Sequence, residues 1–199
     1  MIPCVWIGIG LLLGALPFSL WLGRLILHED IRQYGDGNPG AFNAWRAGGK
    51  LVGLPALLLD YLKGAAPVAM ANFVSGVSGW WLVPVALSPV FGHAFSPFLR
   101  FRGGKAVAAT FGIWTGLTLW EGPTVLGCLL GVSYSLQKVD GWSVILSMMG
   151  LLIYLQLRWS DPSILTIWLG NIIILTWKHR HDLGQRIRFR ESILRTLRR

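Results

Sequence analysis

The stretch IPCVWIGIGLLLGALPFSLWLGRLIL at residues 2–27 decides the fold. Its only charge is Arg24, and it is longer than the roughly 20 residues that a helix needs to cross the hydrocarbon of a bilayer. No basic segment precedes it, and it is too long for the apolar region of a signal peptide. We therefore predict that this stretch forms a first transmembrane helix.

The composition of the whole chain also favours a membrane protein. Of its 199 residues, 53% are hydrophobic and 14% charged, whereas an average soluble domain is about 25% charged. We predict an all-α, polytopic bundle that forms one integral membrane domain over residues 1–199, with a basic tail at 178–199. Seven spans are expected near residues 3–25, 51–74, 79–98, 106–120, 123–137, 142–157 and 163–178. As an alternative, the fourth and fifth spans together form one long kinked hairpin.

The distribution of positive charge predicts the orientation in the membrane. With the N-terminus outside, all 18 lysines and arginines except Lys63 and Arg158 lie in cytoplasmic segments. Short cytoplasmic loops carry an excess of such residues. We therefore expect a multi-pass protein of the cell (inner) membrane, with its C-terminus and its polar clusters on the cytoplasmic side.

The charge and cysteine patterns exclude several classes of protein. The net charge of +9 comes from loops and the tail, not from a soluble basic patch interleaved with aromatics, so we expect the bilayer surface or a small anionic substrate as partner and no nucleic acid. Cys4 and Cys128 form no C-x-x-C pattern, which predicts neither a disulfide framework nor a metal site. His179 and His181 have no evident third ligand, so we expect no metal there.

The segment YGDGNPGAFNAWR at residues 34–46 is the first of three polar clusters at the predicted cytoplasmic face. Its Gly35, Gly37 and Gly40 match G-x-G-x-x-G, but a dinucleotide site needs a preceding strand, and no βαβ unit is possible here. There remains a glycine-rich turn before a helix, where backbone N–H groups and polar side chains can bind an anion. Those side chains are Asn38, Asn43 and Arg46. An ordinary tight loop is the alternative.

The second cluster is GHAFSPFLRFRGGK at residues 92–105. A nucleotide P-loop is excluded, because Leu99 stands where the first glycine belongs and Ala106 where serine or threonine belongs. Three cations and Gly103-Gly104 at a helix start nevertheless suit a phosphate. Loop charge of the positive-inside kind explains the cations but not the glycine pair beside His93.

The third cluster, HRHD at residues 179–182, begins the basic tail. For most arginines from Arg186 to Arg199 we favour a surface helix held on anionic lipid. Asp60 and Lys63 stand apart, since they lie at i and i+3 within the second span and can meet on one helix face. We interpret them as a structural intramembrane pair, with a direct substrate role as the alternative.

These clusters resemble the motifs of the bacterial acyl-phosphate:glycerol-3-phosphate acyltransferases, the PlsY family. Residues 35–46 are similar to G-S-G-N-x-G-A-T-N-x-x-R, and residues 92–105 to G-H-x-F-P-x-x-L-x-F-x-G-G-K. Residues 179–191 are weakly similar to H-R-x-N-I-x-R-L-x-x-G-x-E, and residues 60–67 to D-x-x-K-G-x-x-P. The resemblance covers nearly the whole chain.

The resemblance implies acyl transfer from acyl phosphate to glycerol 3-phosphate, giving lysophosphatidate in phospholipid biosynthesis without acyl-CoA, a cofactor or a metal. Because an acyl phosphate is a mixed anhydride, the site needs no serine or cysteine nucleophile. It must hold two phosphates and align a hydroxyl with the acyl carbon. The catalytic candidates are His93, Lys105 and Asn38. The candidates for binding substrate phosphate are Gly35, Asp36, Gly37, Gly40, Asn43, Arg46, Arg102, Gly103, Gly104 and Arg180. His93 either hydrogen-bonds a phosphate or accepts the hydroxyl proton, and a substrate phosphate is the alternative base.

The chain departs from the family pattern at several positions. Asp36 stands where the family has serine, and unless it is protonated or paired with an arginine it would repel a phosphate. Phe42 replaces threonine, and Asp182 and Gln185 replace asparagine and arginine. A phosphate-binding transporter or lipid-binding protein and an inactive scaffold therefore stay open as alternatives. The acyl-chain preference, the general base and the oligomeric state are not predicted.

Overall fold

The computed structural model describes residues 1–159 and 161–190, so the predicted tail beyond residue 190 lies outside the described residues. Within those ranges the chain is helical apart from turns, loops and one isolated β-bridge, which confirms the predicted all-α class. The α-helices are α1 (Ile2–Ala15), α2 (Phe18–Leu22), α3 (Ala41–Ala69), α4 (Leu82–Ala94), α5 (Val107–Thr118), α6 (Glu121–Leu136), α7 (Asp140–Arg158), α8 (Pro162–Lys178) and α9 (Arg180–Leu183).

Several of these helices are apolar enough to cross a membrane. Within the described residues, four stretches have the necessary length and hydropathy, and they are Ile2–Leu27, Ala41–Val74, Gly79–Leu99 and Asp140–Arg158. Two shorter apolar helices, α5 and α8, accompany them. The chain is thus a multi-pass membrane protein with a helix at each predicted position, while the number of seven crossings stays a prediction.

The first span was predicted to be one continuous helix over residues 3–25. In the structure it is broken near its middle. Leu16 is extended, with φ −63° and ψ 121°, and the helix resumes only at Phe18. The cause is Pro17, which has no N–H to continue the helix and disfavours a helical conformation at the residue before it. The break leaves the carbonyl of Leu16 free to accept a hydrogen bond from Lys63 Nζ at 2.9 Å.

Close helix packing holds α3, α5 and α8 together. Gly112 of α5 lies so near α3 that a Cβ at this position would overlap the carbonyl oxygen of Tyr61. On the other side of α5, buried Trp114 Nε1 donates to Asn171 Oδ1 of α8 at 3.1 Å. After Thr118, the chain turns at Leu119, whose φ is 56°, so α5 and α6 are two separate helices joined by a tight turn.

The polar loops lie together at one end of this bundle. Lys178, at the end of α8, donates from Nζ to the carbonyl of Ala94 at 2.9 Å and to that of Gly103 at 2.7 Å. The end of α4, the loop before α5 and the end of α8 are therefore fixed against one another.

The part of the tail from Arg186 to Arg190 is extended, not helical. The N–H of Lys138 donates to the carbonyl of Arg188 at 2.8 Å, and the N–H of Arg190 donates to that of Leu136 at 3.0 Å. A surface helix from Arg186 is therefore wrong as far as residue 190, because the backbone there pairs with the turn between α6 and α7 instead of with itself.

Candidate active site

The first polar cluster folds into a turn around Asp36, just before α3 begins. Asp36 Oδ1 accepts hydrogen bonds from the N–H of Asn38 at 3.2 Å and from Asn43 Nδ2 at 2.9 Å. Asn43 Nδ2 also donates to the carbonyl of Asn38 at 2.9 Å, and its side chain is buried. One carboxylate oxygen of Asp36 thus stabilises the turn, as Asp side chains commonly do.

The second polar cluster packs against His93, which is buried near the end of α4. The N–H of Gly104 donates to the carbonyl of His93 at 3.1 Å. Any Cβ on Gly104 would overlap His93 Nε2, so a glycine is required for the loop to approach the ring this closely. The Nε2 side of the imidazole is therefore directed at the Gly103-Gly104 loop.

Lys105 joins the first and third polar clusters. Its Nζ lies 2.8 Å from Asp36 Oδ2 and 2.8 Å from Asp182 Oδ2. Asp182 Oδ2 in turn lies 3.0 Å from His179 Nδ1. The carboxylate that was expected to repel a phosphate unless paired with an arginine is thus paired, but with a lysine. We call Asp36, Lys105 and Asp182 the lysine clamp.

Each member of the lysine clamp holds its partners in the charged form. Burial raises the pKa of the Asp36 carboxyl, but the hydrogen bond and charge of Lys105 outweigh it and leave the pKa below its ordinary value. The same balance lowers the pKa of Asp182. Burial lowers the pKa of Lys105, yet its hydrogen bonds to the two carboxylates raise it overall. For His179, burial outweighs the contact with Asp182 and lowers the pKa, so this imidazole is neutral at pH 7.

A second charged group lies inside the bundle, where Asp60 and Lys63 form an ion pair of 2.7 Å. Ser19 Oγ donates to Asp60 Oδ2 at 2.6 Å. His93 Nδ1 lies 3.8 Å from Asp60 Oδ1, the oxygen that faces Lys63 Nζ, and among the described residues this buried nitrogen has no hydrogen-bond partner. We call Asp60, Lys63 and His93 the buried triad.

Two cavities meet at this end of the bundle. One is polar, with a volume of about 490 Å³, and lies among the three loops. The other has a volume of about 890 Å³ and an apolar wall built from α3, α5 and α6. Its apolar side chains include Leu54, Leu57, Leu58, Val107, Phe111 and Leu130. Asn38 and Lys105 line both cavities, so they stand at the junction between a polar and an apolar compartment.

Most of the predicted site residues line these cavities. The polar cavity is lined by Asp36, Gly37, Asn38, Arg102, Gly103, Lys105 and Arg180, and the apolar cavity by Asn38, Gly40, Asp60, His93 and Lys105. The other predicted phosphate ligands, which are Gly35, Asn43, Arg46 and Gly104, line neither cavity. Asn43 and Gly104 support the loops, and Arg46 lies over the ring of Phe42 with its Cζ 4.7 Å from the centroid.

The structure adds residues whose role the sequence does not predict. Lys178 lines the polar cavity and ties two loops together, although in the sequence it is one more charge at the end of a span. Asp182 fixes Lys105. The sequence offered one indication of this contact, because Asp36 and Asp182 both depart from the family motifs. Two such departures to aspartate suggest that the two residues share a partner.

Comparisons with known proteins cover almost the whole chain. A family model described as glycerol-3-phosphate acyltransferase matches residues 4–188. The glycerol-3-phosphate acyltransferase 1 of Thermotoga maritima is 40% identical over 191 residues, which cover 89% of this chain and 94% of the relative. The glycerol-3-phosphate acyltransferase of an Anaeromyxobacter species (strain Fw109-5) is 33% identical over 202 residues, which cover 96% of each chain.

A solved structure shows the same architecture. The glycerol 3-phosphate form of PlsY (YgiH), an integral membrane glycerol 3-phosphate acyltransferase, aligns with a TM-score of 0.83 and 25% identity. The alignment covers 92% of this chain and 90% of that one.

Proposed function

This chain belongs to the glycerol-3-phosphate acyltransferase family, and on that premise we propose that it uses an acyl phosphate as its acyl donor. It is an integral membrane acyltransferase that acylates glycerol 3-phosphate in phospholipid synthesis, which confirms the function predicted from the resemblance. We propose further that neither acyl-CoA nor a metal takes part. Within the described residues, no three His, Cys, Asp or Glu side chains are grouped so that they could hold a metal ion.

The junction of the two cavities is the observation that carries the proposal. An acyl phosphate has an apolar chain and a dianionic head, and it needs one compartment for each. The apolar cavity accepts the chain, the polar cavity accepts phosphate, and the reactive acyl carbon then lies at Asn38 and Lys105. Holding both reactants in this arrangement makes the attack effectively intramolecular.

The proposed reaction is a direct transfer. The hydroxyl of glycerol 3-phosphate attacks the acyl carbon, a new ester C–O bond forms, and the bond between the acyl carbon and the phosphate oxygen breaks. The hydroxyl proton passes to the released phosphate or to His93 Nε2. The products are lysophosphatidate and inorganic phosphate.

The protein contributes positioning and charge. Lys105 neutralises substrate phosphate, and the Asn38 amide donates to the carbonyl oxygen as negative charge develops there. Arg102, Lys178 and Arg180 provide further positive charge on the wall of the polar cavity. We propose that Asp60 is a positioning residue, because it lies 3.8 Å from His93 Nδ1 and leaves Nε2 on the side of the glycine loop.

We also propose the orientation of the enzyme. Seven crossings with the N-terminus outside place the polar cavity at the cytoplasmic face of the cell (inner) membrane, where the lysines and arginines of the loops favour it. A water-soluble acceptor then enters from the cytoplasm, while a lipid-like donor enters through the apolar cavity between helices.

Two features of the structure support the transporter alternative. The break at Leu16 and Pro17 and the ion pair of Asp60 and Lys63 are the polar, irregular elements that transporters place at mid-bilayer. These groups are already bonded to one another, since Lys63 contacts both Asp60 and the carbonyl of Leu16. Such a satisfied pair favours a structural role.

The proposed donor is tested with purified protein in detergent. We expect palmitoyl phosphate and glycerol 3-phosphate to give lysophosphatidate and inorganic phosphate in equal amounts, whereas palmitoyl-CoA gives neither. Adding EDTA is expected to leave the rate unchanged. Product from palmitoyl-CoA alone, or a rate that EDTA abolishes, would overturn the donor and metal proposals respectively.

A further inference from the structure

Lys105 is held by two carboxylates that come from distant parts of the chain. Asp36 belongs to the turn before α3, whereas Asp182 belongs to α9, and each places its Oδ2 at 2.8 Å from Lys105 Nζ. An ammonium group has three N–H donors. With two of them directed at carboxylates, one donor stays available for a third acceptor.

The charge of the clamp is unusual for a phosphate site. One cation and two carboxylates, all of them ionised at neutral pH, give the three side chains a net charge of −1. A substrate phosphate that approaches Lys105 therefore meets two negative groups already in the positions it would occupy. The phosphate either binds through the one remaining donor, with two negative groups beside it, or displaces a carboxylate and takes its place at Lys105.

The geometry allows the displacement without disturbing the turn. Asp36 uses Oδ1 for its hydrogen bonds to Asn38 and Asn43, and only Oδ2 faces Lys105. The side chains of Asp36, Lys105 and Asp182 are 45%, 21% and 21% exposed, so water can solvate a carboxylate that leaves. Ion pairs that water can reach contribute little net free energy, so a dianionic ligand can replace them.

We propose that Asp36 and Asp182 are affinity-setting residues that act as a pair. They occupy Lys105 before substrate binds, and the phosphate of a substrate takes the place of one or both carboxylates. The inference rests on the proposed function in one respect, namely that Lys105 binds substrate phosphate. Asp36 and Asp182 together raise the KM for that phosphate. Before substrate binds, they keep Lys105 charged and fixed in position.

Asp36 and Asp182 act together because both pair with the same ammonium group of Lys105. With Asp36 alone removed, Asp182 still holds the ammonium, and with Asp182 alone removed, Asp36 does. Lys105 becomes fully available only when both are neutral. Side chains that share one partner in this way show non-additive effects.

The test compares wild-type enzyme with Asp36→Ser, Asp182→Asn and the double variant. A serine can still accept the hydrogen bond that closes the turn, and an asparagine keeps the shape of the aspartate. We expect the KM for the phosphate that contacts Lys105 to fall about threefold in each single variant and more than about twentyfold in the double variant, beyond the roughly ninefold product of two independent effects, with kcat changed less than KM. The KM values for glycerol 3-phosphate and for palmitoyl phosphate are measured separately. The substrate whose KM falls is the one whose phosphate contacts Lys105.

Asp30→Asn is the matched control. Asp30 pairs with Arg24 and Arg32 in an exposed turn and lines neither cavity, so its removal changes the net charge without touching Lys105. Both KM values are expected to stay within twofold of wild type. A fall equal to that of the double variant would show a general charge effect and overturn the clamp.

A second measurement separates this inference from the proposed function. Binding of inorganic phosphate by calorimetry needs no turnover, and we expect it to tighten in the double variant in parallel with KM. An unchanged or weaker affinity, or a raised KM for both substrates, overturns the clamp even if the wild type is fully active. A wild type that produces no lysophosphatidate overturns the donor proposal, while the phosphate affinities still decide the clamp. If the double variant does not fold, the single variants decide, and a raised KM in either overturns the pair.

Discussion

The buried triad and the lysine clamp are built from the same parts in different surroundings. Each contains a lysine paired with aspartate, and a histidine lies beside an aspartate in both places. That histidine is His93 in the triad and, next to the clamp, His179. The side chains of Lys63 and Asp60 are 3% and 2% exposed, whereas those of Lys105 and Asp182 are both 21% exposed. Solvent access therefore decides what each group can do. A pair without water cannot exchange partners cheaply, while a pair reached by water can.

The largest expected effect is on stability, at Lys63. Lys63→Met keeps the length of the side chain but leaves Asp60 as an uncompensated carboxylate inside the bundle. Removing one partner of a buried pair costs about 3–5 kcal/mol. We expect the free energy of unfolding to fall by that amount. It is measured by equilibrium denaturation in mixed micelles, with tryptophan fluorescence as the readout.

The double variant Asp60→Asn with Lys63→Met is the control for that prediction. It removes both charges, so most of the stability is expected to return. Activity is not expected to return with it, because His93 then lacks its carboxylate neighbour. If Lys63→Met had the same free energy of unfolding as wild type, the buried triad and the lysine clamp would not differ in the way that solvent access predicts.

The next effect is on turnover, at Lys105. Lys105→Met is the same substitution in the exposed group, and we expect it to change the free energy of unfolding by less than about 1 kcal/mol per lost pair. The value of kcat/KM is expected to fall by about 10²–10³, since a cation at the junction stabilises developing charge on phosphate. Equal losses of stability at Lys63 and Lys105, or an active Lys105→Met enzyme, would contradict the assignment.

The positions of the helices could be predicted from the sequence because hydropathy is a local property. Each apolar run became a helix near the expected place. The interruption at Pro17 was not predicted, because the residues on both sides of it are equally apolar. The extended conformation after Arg186 was also missed, since it depends on backbone partners in the turn between α6 and α7.

The grouping of the polar loops could be predicted from the sequence, but the pairings of their side chains could not. The predicted topology puts these loops on one face of the membrane, and residues of the glycine motifs line both cavities. The contact of Lys105 with Asp182 joins residues 77 positions apart, and that of His93 with Asp60 joins different helices. Tertiary packing decides such contacts, and no local pattern records it. Protonation or an arginine partner was the condition under which Asp36 was expected from the sequence to tolerate a phosphate, whereas the loop geometry supplies Lys105 as the partner.

The smallest expected effect is the acid sensitivity of the lysine clamp. The pKa values of Asp36 and Asp182 are lowered on folding, so these carboxylates stabilise the fold above their ordinary pKa of 3.8 and lose this contribution as the pH falls through the lowered values. The pKa of Lys105 is raised above 10.5, so its contribution is complete below that pH and is lost only at higher pH. The clamp therefore contributes a constant amount between about pH 5 and pH 9. Below pH 4, the free energy of unfolding of the wild-type protein is expected to fall by about 0.2–1 kcal/mol for each ion pair of the clamp. The double variant Asp36→Ser with Asp182→Asn lacks these pairs, so it is not expected to show this part of the decline. Unfolding free energies of both proteins at pH 7 and pH 3 measure the difference, and an equal decline in the two would show that the carboxylates do not bind Lys105 in solution.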